Sequence, residues 1–410
     1  MTIDLAQAQA RPRWGAVALL AMGQTITWAG LYYVFAALLL TWEQSLGWAK
    51  TELTIGLTAA VLVAAACAPL VGRLIDADRG RWVLGLGTLG GAAALALLSM
   101  ADDSLTFVAI WMVIGVAQAA SLYEACFAFV TRVTGDMARA AITRIALLAG
   151  LASAIAFPSG ALLADALGWR GALLVFAAVV AAVGAPLQFF GATLLQRYAA
   201  TPPPKLRRTE ERAAVRAARQ RPEFWLIAIA FPMMALNHGI MLNHFIPLQV
   251  ERGITEAMAV TAASVIGPMQ VVGRLAMARL EHRLGALSIS MLAFGGVSCA
   301  ALLLLAAGAA PLMVFAFAAM QGAAYGVTSI LKPVVTAESL GRAAFGAIAG
   351  WLALPYLMGY AVAPHLGAIL HETGNYDLVI VAAASMGVIG LLCILALWWL
   401  RRSRSGGTGG

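Results

Sequence analysis

Along this chain, long apolar runs alternate with short clusters of charge. Twelve runs stand out: residues 14–41, 53–74, 83–100, 105–131, 142–166, 171–196, 224–248, 257–280, 285–308, 311–334, 344–370 and 377–400. A helix needs about 20 residues to cross ~30 Å of hydrocarbon, and the runs match that length. Lipid offers the backbone no hydrogen-bond partner, so each run must be a closed helix or a strand of a barrel. The polar–apolar alternation of a barrel strand is missing. The pattern therefore predicts an all-α membrane protein with twelve transmembrane helices. Composition agrees: of 410 residues 62% are hydrophobic and 11% charged, with a mean hydropathy of +0.86. A soluble domain would need roughly 25% charge to solvate its surface.

The net charge of +8 raises nucleic-acid binding, but the distribution of the cations speaks against it. When loops are assigned to alternate sides, only Lys50, Arg170 and Arg252 of the 27 Lys and Arg fall opposite the two termini. Cytoplasmic loops retain Lys and Arg, so both termini are expected to be cytoplasmic. Residues Met1–Arg13 are short and polar, and the run after them is too long for a signal-peptide core. Cys67, Cys126, Cys299 and Cys393 lie in apolar runs without a CxxC pair, which gives no metal or disulfide framework.

Two features divide the chain. Residues 197–223 carry eight Lys or Arg, the prolines Pro202, Pro203 and Pro204, and an Ala-rich basic stretch suited to a surface helix near anionic lipid. They separate an N-terminal six-helix bundle (1–196) from a C-terminal six-helix bundle with a short cytoplasmic tail (224–410). The second feature is repetition. Val71-Gly72-Arg73-Leu74 recurs as Val272-Gly273-Arg274-Leu275, and Gln118 and Tyr123 are echoed by Gln321 and Tyr325. Such duplication predicts two pseudo-symmetric bundles, a binding site near mid-membrane and alternating access by rocking.

The segment Gly72-Arg73-Leu74-Ile75-Asp76-Ala77-Asp78-Arg79-Gly80-Arg81 resembles the loop signature of the major facilitator superfamily. The twelve runs, the basic linker and the repeat extend this resemblance over essentially the whole chain. It implies a gating role for Arg73, Asp76 and Arg81, the Asp meeting basic residues and a neighbouring helix terminus. The second-half equivalent of Asp76 is Met277, so that gate looks degenerate. Leu46-Gly47-Trp48 with Thr51-Glu52-Leu53 looks like the bacterial branch of monocarboxylate and oxalate/formate carriers. Leu122-Tyr123-Glu124 and Gly267-Pro268-Met269-Gln270 look like a neighbouring branch of copper and riboflavin importers. The resemblance thus implies a multi-pass transporter of a bacterial inner (plasma) membrane.

Candidate chemistry lies inside the runs. Glu124, buried in the fourth, is either a proton carrier or a fixed contact with Arg73 or Arg144. Arg274 reads as a helix-end cation that snorkels to the interface, with a gating or anion-binding alternative. Lys332 reads as an interface anchor at the end of the tenth run. Met234, His238 and Met241 share one face of the seventh run, which brings copper into view, although Val265-x-x-x-Met269 stands where the copper importers look to carry His-x-x-x-Met in the eighth. Asn237 and His238 are candidates for hydrogen bonding a solute or another helix. Gln24, Trp28 and Tyr32 recur every four residues in the first run. Tyr123, Gln270, Gln321, Tyr325, Trp351 and Tyr356 join them as aromatic and amide groups suited to a planar or partly apolar solute.

Gly85-Leu86-Gly87-Thr88-Leu89-Gly90 imitates a dinucleotide motif but lies within an apolar run, where small residues let helices approach. No catalytic or ATP-binding motif is present, so an enzyme is not expected, nor is a cofactor. The expectation is a monomeric secondary transporter, in contact with lipid and not nucleic acid, moving a small organic solute such as a carboxylate or a riboflavin-like vitamin, with proton symport through Glu124 an option. A copper importer and a non-transporting solute sensor are the alternatives.

Overall fold

The computed structural model describes residues 14–197, 208–280, 283–307, 310–373 and 375–406. The N-terminal residues 1–13 and the prolines Pro202, Pro203 and Pro204 of the linker lie outside these described residues. Eight apolar helical stretches are long enough to cross a membrane. Two of them hold several crossings. Glu52–Leu98 turns at Ile75–Arg79, where Asp78 takes a left-handed φ of 64°. Ser104–Arg197 turns at Gly135–Met137 and at Gly168, whose φ of 69° breaks the helix Ala152–Val179. Glu256–Leu280, less apolar and 25 residues long, completes the twelve.

The surface shows why these helices suit lipid. Leu105, Met100, Leu162, Leu312 and Trp399 are each at least 70% exposed, while alanine is the commonest of the buried residues. Without a hydrophobic force between helices in lipid, small residues let backbones approach and polar groups join them. Gly72 shows the closeness required: a Cβ there would sit 1.9 Å from the carbonyl oxygen of Gly346.

The chain falls into two compact units. One takes the residues up to Val215 together with Arg342–Leu354; the other takes Arg216–Gly341 and the residues from Pro355 onward. In the first, an apolar core gathers Leu31, Phe35, Trp42, Leu95, Phe107 and Trp111. In the second, Ile240, Met241, Phe245, Leu304, Phe317 and Val379 form the corresponding core.

Several crossings are not continuous helices, which the hydropathy pattern does not foretell. The first crossing runs as Trp14–Trp28, a widened π-turn at Ala29–Tyr33, and Val34–Leu46. The fourth breaks between Ser104–Ser121 and Tyr123–Thr134, with Leu122 extended at ψ −167°. The tenth breaks at Val327, between Met313–Gly326 and Thr328–Leu340. Each break frees backbone carbonyls that need another donor. The tenth crossing also reaches six residues beyond the expected end at 334, because Thr336 and Ser339 lower its hydropathy without interrupting the helix. The basic part of the linker forms the helix Arg208–Gln220, as its composition suggests.

Candidate functional site

In the first unit, buried glutamines serve the helix breaks. Ser121 ends the first half of the fourth crossing, and its carbonyl accepts from Gln24 Nε2 at 2.6 Å and Gln188 Nε2 at 3.2 Å. Gln118 Nε2 donates to the Leu31 carbonyl at 2.7 Å, inside the π-turn of the first crossing. The Gln24 amide, expected to face a solute, thus makes a backbone contact, although its Oε1 has no hydrogen-bond partner. Around the π-turn an aromatic cluster forms. Trp28 lies 5.1 Å from Tyr32 and 4.7 Å from Tyr123 by ring centroids, and Tyr123 stacks on Phe127 at 4.6 Å. Tyr33 and Phe157 extend it at 6.2 Å. Trp28, Tyr32 and Tyr123 therefore meet as candidates, whereas the sequence reading omits Tyr33, Phe127 and Phe157. Adjacency to Tyr32 is the only signal that could have added Tyr33.

Glu124 is half-buried in the first turn of the helix Tyr123–Thr134. It borders a cavity of ≈ 10 Å³ with Gly72, Gly346, Ala349 and Gly350, about the space of one water. The two arginines weighed as its fixed partners have others: Arg73 pairs with Glu211 at 3.3 Å, and the Arg144 guanidinium lies 3.2 Å above the Trp14 ring.

Asp76 is only 2% exposed. Its two carboxylate oxygens accept from the backbone N–H of Gly346 at 3.0 Å and of Ala347 at 2.7 Å, the first turn of the helix Phe345–Thr373. A helix N-terminus presents unpaired N–H groups and positive potential, so it suits an anion. The cation beside Asp76 is Arg132, with Nη1 at 3.7 Å. Arg81 instead lies over Trp82 and Arg73 reaches the linker helix. Arg132 comes from a different crossing, and nothing in the loop's own spacing points to it.

In the second unit, candidates from three crossings join. Asn237 and His238 are buried in the seventh crossing, Pro222–Glu251. Gln321 Nε2 donates to Asn237 Oδ1 at 2.8 Å and approaches His238 Nδ1 at 3.5 Å, and Asn237 Nδ2 donates to the Ala383 carbonyl at 2.8 Å. The His238 ring stacks on Tyr325 at 3.4 Å with only 7° between planes. The Tyr325 and Tyr356 hydroxyls are 3.2 Å apart. Lys332 completes the series, its Nζ lying 3.9 Å above the Tyr356 ring.

Two sequence expectations are corrected here. Lys332 is not an interface anchor: it is 8% exposed and lies within Thr328–Leu340, whose extra length draws it inward. Arg274 does not snorkel. It is 7% exposed, and its Nε donates to the Gly326 carbonyl at 2.8 Å, serving the break in the tenth crossing.

Other candidates stand apart from this cluster. Met241 packs in the apolar core, Met234 is fully buried, and Gln270 is half-buried with its backbone against Gly326. Trp351 falls in the first unit although it shares a helix with Tyr356. Among the described residues, no group of three His, Cys, Asp or Glu could hold a metal ion.

The arrangement is that of a carrier: helices broken inside the membrane, with carboxylate, amide, imidazole and ammonium groups beside the breaks. Residues 20–310 match the family model of the Major Facilitator Superfamily, and the chain belongs to that family. It is a multi-pass membrane transporter and not an enzyme. Similar solved structures include the human organic anion transporter MFSD10 (TETRAN), 16% identical, with 94% of this chain and 100% of that one covered at a TM-score of 0.72. The E. coli fucose:proton symporter FucP is 14% identical, with 94% and 99% covered at a TM-score of 0.71. A bacterial homologue of the iron transporter ferroportin is 17% identical, with 93% and 99% covered at 0.68. At these identities the likeness is one of fold. No curated protein matches.

Proposed function

We propose that this transporter moves a small organic solute, a carboxylate or a riboflavin-like vitamin, across the bacterial inner membrane by alternating access, with both termini cytoplasmic. The carrying observation is the joined series of Asn237, His238, Gln321, Tyr325 and Tyr356 within the membrane-spanning part of the second unit. Polar groups are costly in hydrocarbon, and buried networks of amide, imidazole and phenol offer directional hydrogen bonds to a polar solute. Gln270 is a further candidate within the second unit, and Trp351 with the aromatic cluster of Trp28, Tyr32 and Tyr123 are candidates within the first.

Proton symport through Glu124 is part of the proposal, supported by a carboxyl half-buried just past a helix break. The Asp76 contact with the N-terminus of Phe345–Thr373 acts as a gating latch, with Arg73 and Arg81 as further gating residues of the first unit and Arg274 as the gating candidate of the second. MFSD10 is by name an organic anion transporter and FucP a proton symporter, and both precedents are compatible with this reading.

Uptake by the purified protein in proteoliposomes, with and without a pH gradient, tests it. A carboxylate or riboflavin should accumulate faster with the lumen alkaline, and Glu124→Gln should abolish that acceleration. Equal transport by Glu124→Gln at every pH would remove Glu124 from the proton role. Uptake of copper alone, lost in Met234→Ala, would replace the organic solute with a metal. Binding without any uptake would mark a sensor.

A further inference from the structure

We infer that the groove between the seventh and twelfth crossings binds an anionic phospholipid, the acyl chain lying in the groove and the phosphate at the arginines of its mouth. The inference is independent of the solute. It rests on the membrane-spanning fold, and the leaflet concerned, the cytoplasmic one, follows from the topology proposed above.

Matched spacing on two packed helices creates the groove. Pro222, Trp225, Leu226 and Ile229 stand at i, i+3, i+4 and i+7 where Pro222–Glu251 begins, so they share a face. Ala396, Trp399, Leu400 and Ser403 repeat that spacing near the end of Tyr376–Gly406. The two helices cross the membrane in opposite directions, which brings these faces side by side around ≈ 610 Å³. Seven residues of helix give the slot a length of about 10 Å along the crossing. Its lining is apolar except for Ser403, the residue nearest the chain end. Such a slot suits a hydrocarbon chain.

The walls are indole rings. Trp225 is half exposed, and its Nε1 donates to the Arg219 carbonyl at 2.8 Å. That bond fixes the ring against the end of the linker helix Arg208–Gln220. Trp399, opposite it, is 70% exposed. Tryptophans of this kind sit at headgroup level, where one edge is apolar and the other wet.

Charge decides which lipid. Residues 216–226 and 396–403, which supply the groove and its mouth, contain five arginines and a single acid, Glu223. The fold adds one more carboxylate, Glu338, 3.2 Å from Arg401. Pairing within this set redistributes the charge and leaves the excess positive. Basic pockets between crossings on the cytoplasmic side hold anionic headgroups, and guanidinium matches phosphate in shape. A zwitterionic headgroup brings its own ammonium and gains less. A second copy of the chain, docked on this groove by a twofold axis, would set two groups of arginines against each other.

The test is thermal melting of the purified full-length chain in a neutral detergent, titrated with dioleoyl phosphatidylglycerol, dioleoyl phosphatidylcholine or inorganic phosphate. Stabilisation reports ligand binding directly. Phosphatidylglycerol is expected to stabilise the protein saturably, and the other two are not. The double variant Arg401→Gln/Arg402→Gln should weaken its apparent Kd by about 10-fold or more. Ala396→Trp fills the slot, leaves every arginine in place and should weaken it similarly. Arg279→Gln/Arg283→Gln removes the same charge from exposed positions outside the groove and should leave binding within a few-fold of wild type. Size-exclusion elution and the lipid-free melting temperature report folding, and the arginine variants carry the test should Ala396→Trp unfold.

Equal stabilisation by phosphatidylcholine, or by phosphate alone, would overturn the inference. So would an equal loss in the Arg279 and Arg283 control, which would mark unspecific attraction to a basic surface. A dimer dispersed by Ala396→Trp and indifferent to lipid would assign the groove to a second copy instead. None of these results touches the solute-carrier reading, which uptake tests separately.

Discussion

The fourth and tenth crossings hold matching places in the two halves, and both break, but the breaks are held by opposite chemistry. In the fourth, neutral amides of Gln24 and Gln188 meet the Ser121 carbonyl, and an acid, Glu124, follows. In the tenth, the charged Arg274 meets the Gly326 carbonyl, and a cation, Lys332, follows. A duplicated backbone plan thus keeps its irregularities while the groups that satisfy them differ. Freed carbonyls must be satisfied in either half.

The largest expected effect concerns the clearest asymmetry, Asp76 against Met277. Asp76→Leu removes the acceptor of two helix-terminal N–H groups and leaves Arg132 buried beside them. Breaking one side of a buried ion pair typically costs about 3–5 kcal/mol, so detergent-solubilised protein should melt many degrees lower and transport should be lost. Asp76→Asn retains an acceptor and should fall between. Wild-type melting in Asp76→Leu would mean that the latch adds nothing to the first unit.

The paired glutamines sharpen the comparison. Gln118 donates to a backbone carbonyl in the π-turn, whereas Gln321 joins side chains. Gln118→Leu strands a buried carbonyl, a loss of about 1–3 kcal/mol. Gln321→Leu breaks a polar side-chain contact of a kind that averages ~0.6 kcal/mol in membrane proteins. The first variant should lose mainly thermal stability and the second mainly uptake. Equal effects on both readouts would erase the distinction between support and site. His238→Phe extends the same logic: the stack on Tyr325 survives, the ring nitrogens do not, so melting should move little while solute affinity falls.

How much of this is legible in the sequence follows from the same distinction. Hydropathy locates the twelve crossings because each must be apolar over a fixed length, and the loop signature points to Asp76. Gln321, Tyr325, Asn237, His238 and Tyr356 are recognisable because polar and aromatic residues are conspicuous in such runs. The breaks at Leu122 and Val327 are not, since neither residue disfavours a helix and the break is fixed by donors such as Gln188 from a distant crossing. Lys332 is misjudged for a related reason. Thr336 and Ser339 lower the local hydropathy and make the membrane segment look shorter than the helix, so a residue inside it resembles an end. Arg132 pairs with Asp76 across the fold, which no spacing within the loop signature encodes.

The smallest effect lies where these two crossings begin. Asp103 caps the fourth, its side chain accepting from the Thr106 N–H at 2.8 Å, whereas Leu312 starts the tenth without a side-chain cap. Hydrogen bonds from the side chain and backbone of Thr106 hold the Asp103 carboxyl below its ordinary range. A carboxyl so depressed stabilises the fold above the unfolded-state value near about 3.9, and that contribution fades as pH falls through the lower folded-state value. Asp103→Asn keeps an acceptor for the cap and removes the titration. Melting temperatures of the two proteins should therefore run parallel from pH 7 to 5 and converge or cross slightly as the pH falls to 3. A constant difference across that acid range would show that the charge on Asp103 adds nothing beyond the hydrogen bond, leaving the two crossings alike at their starts.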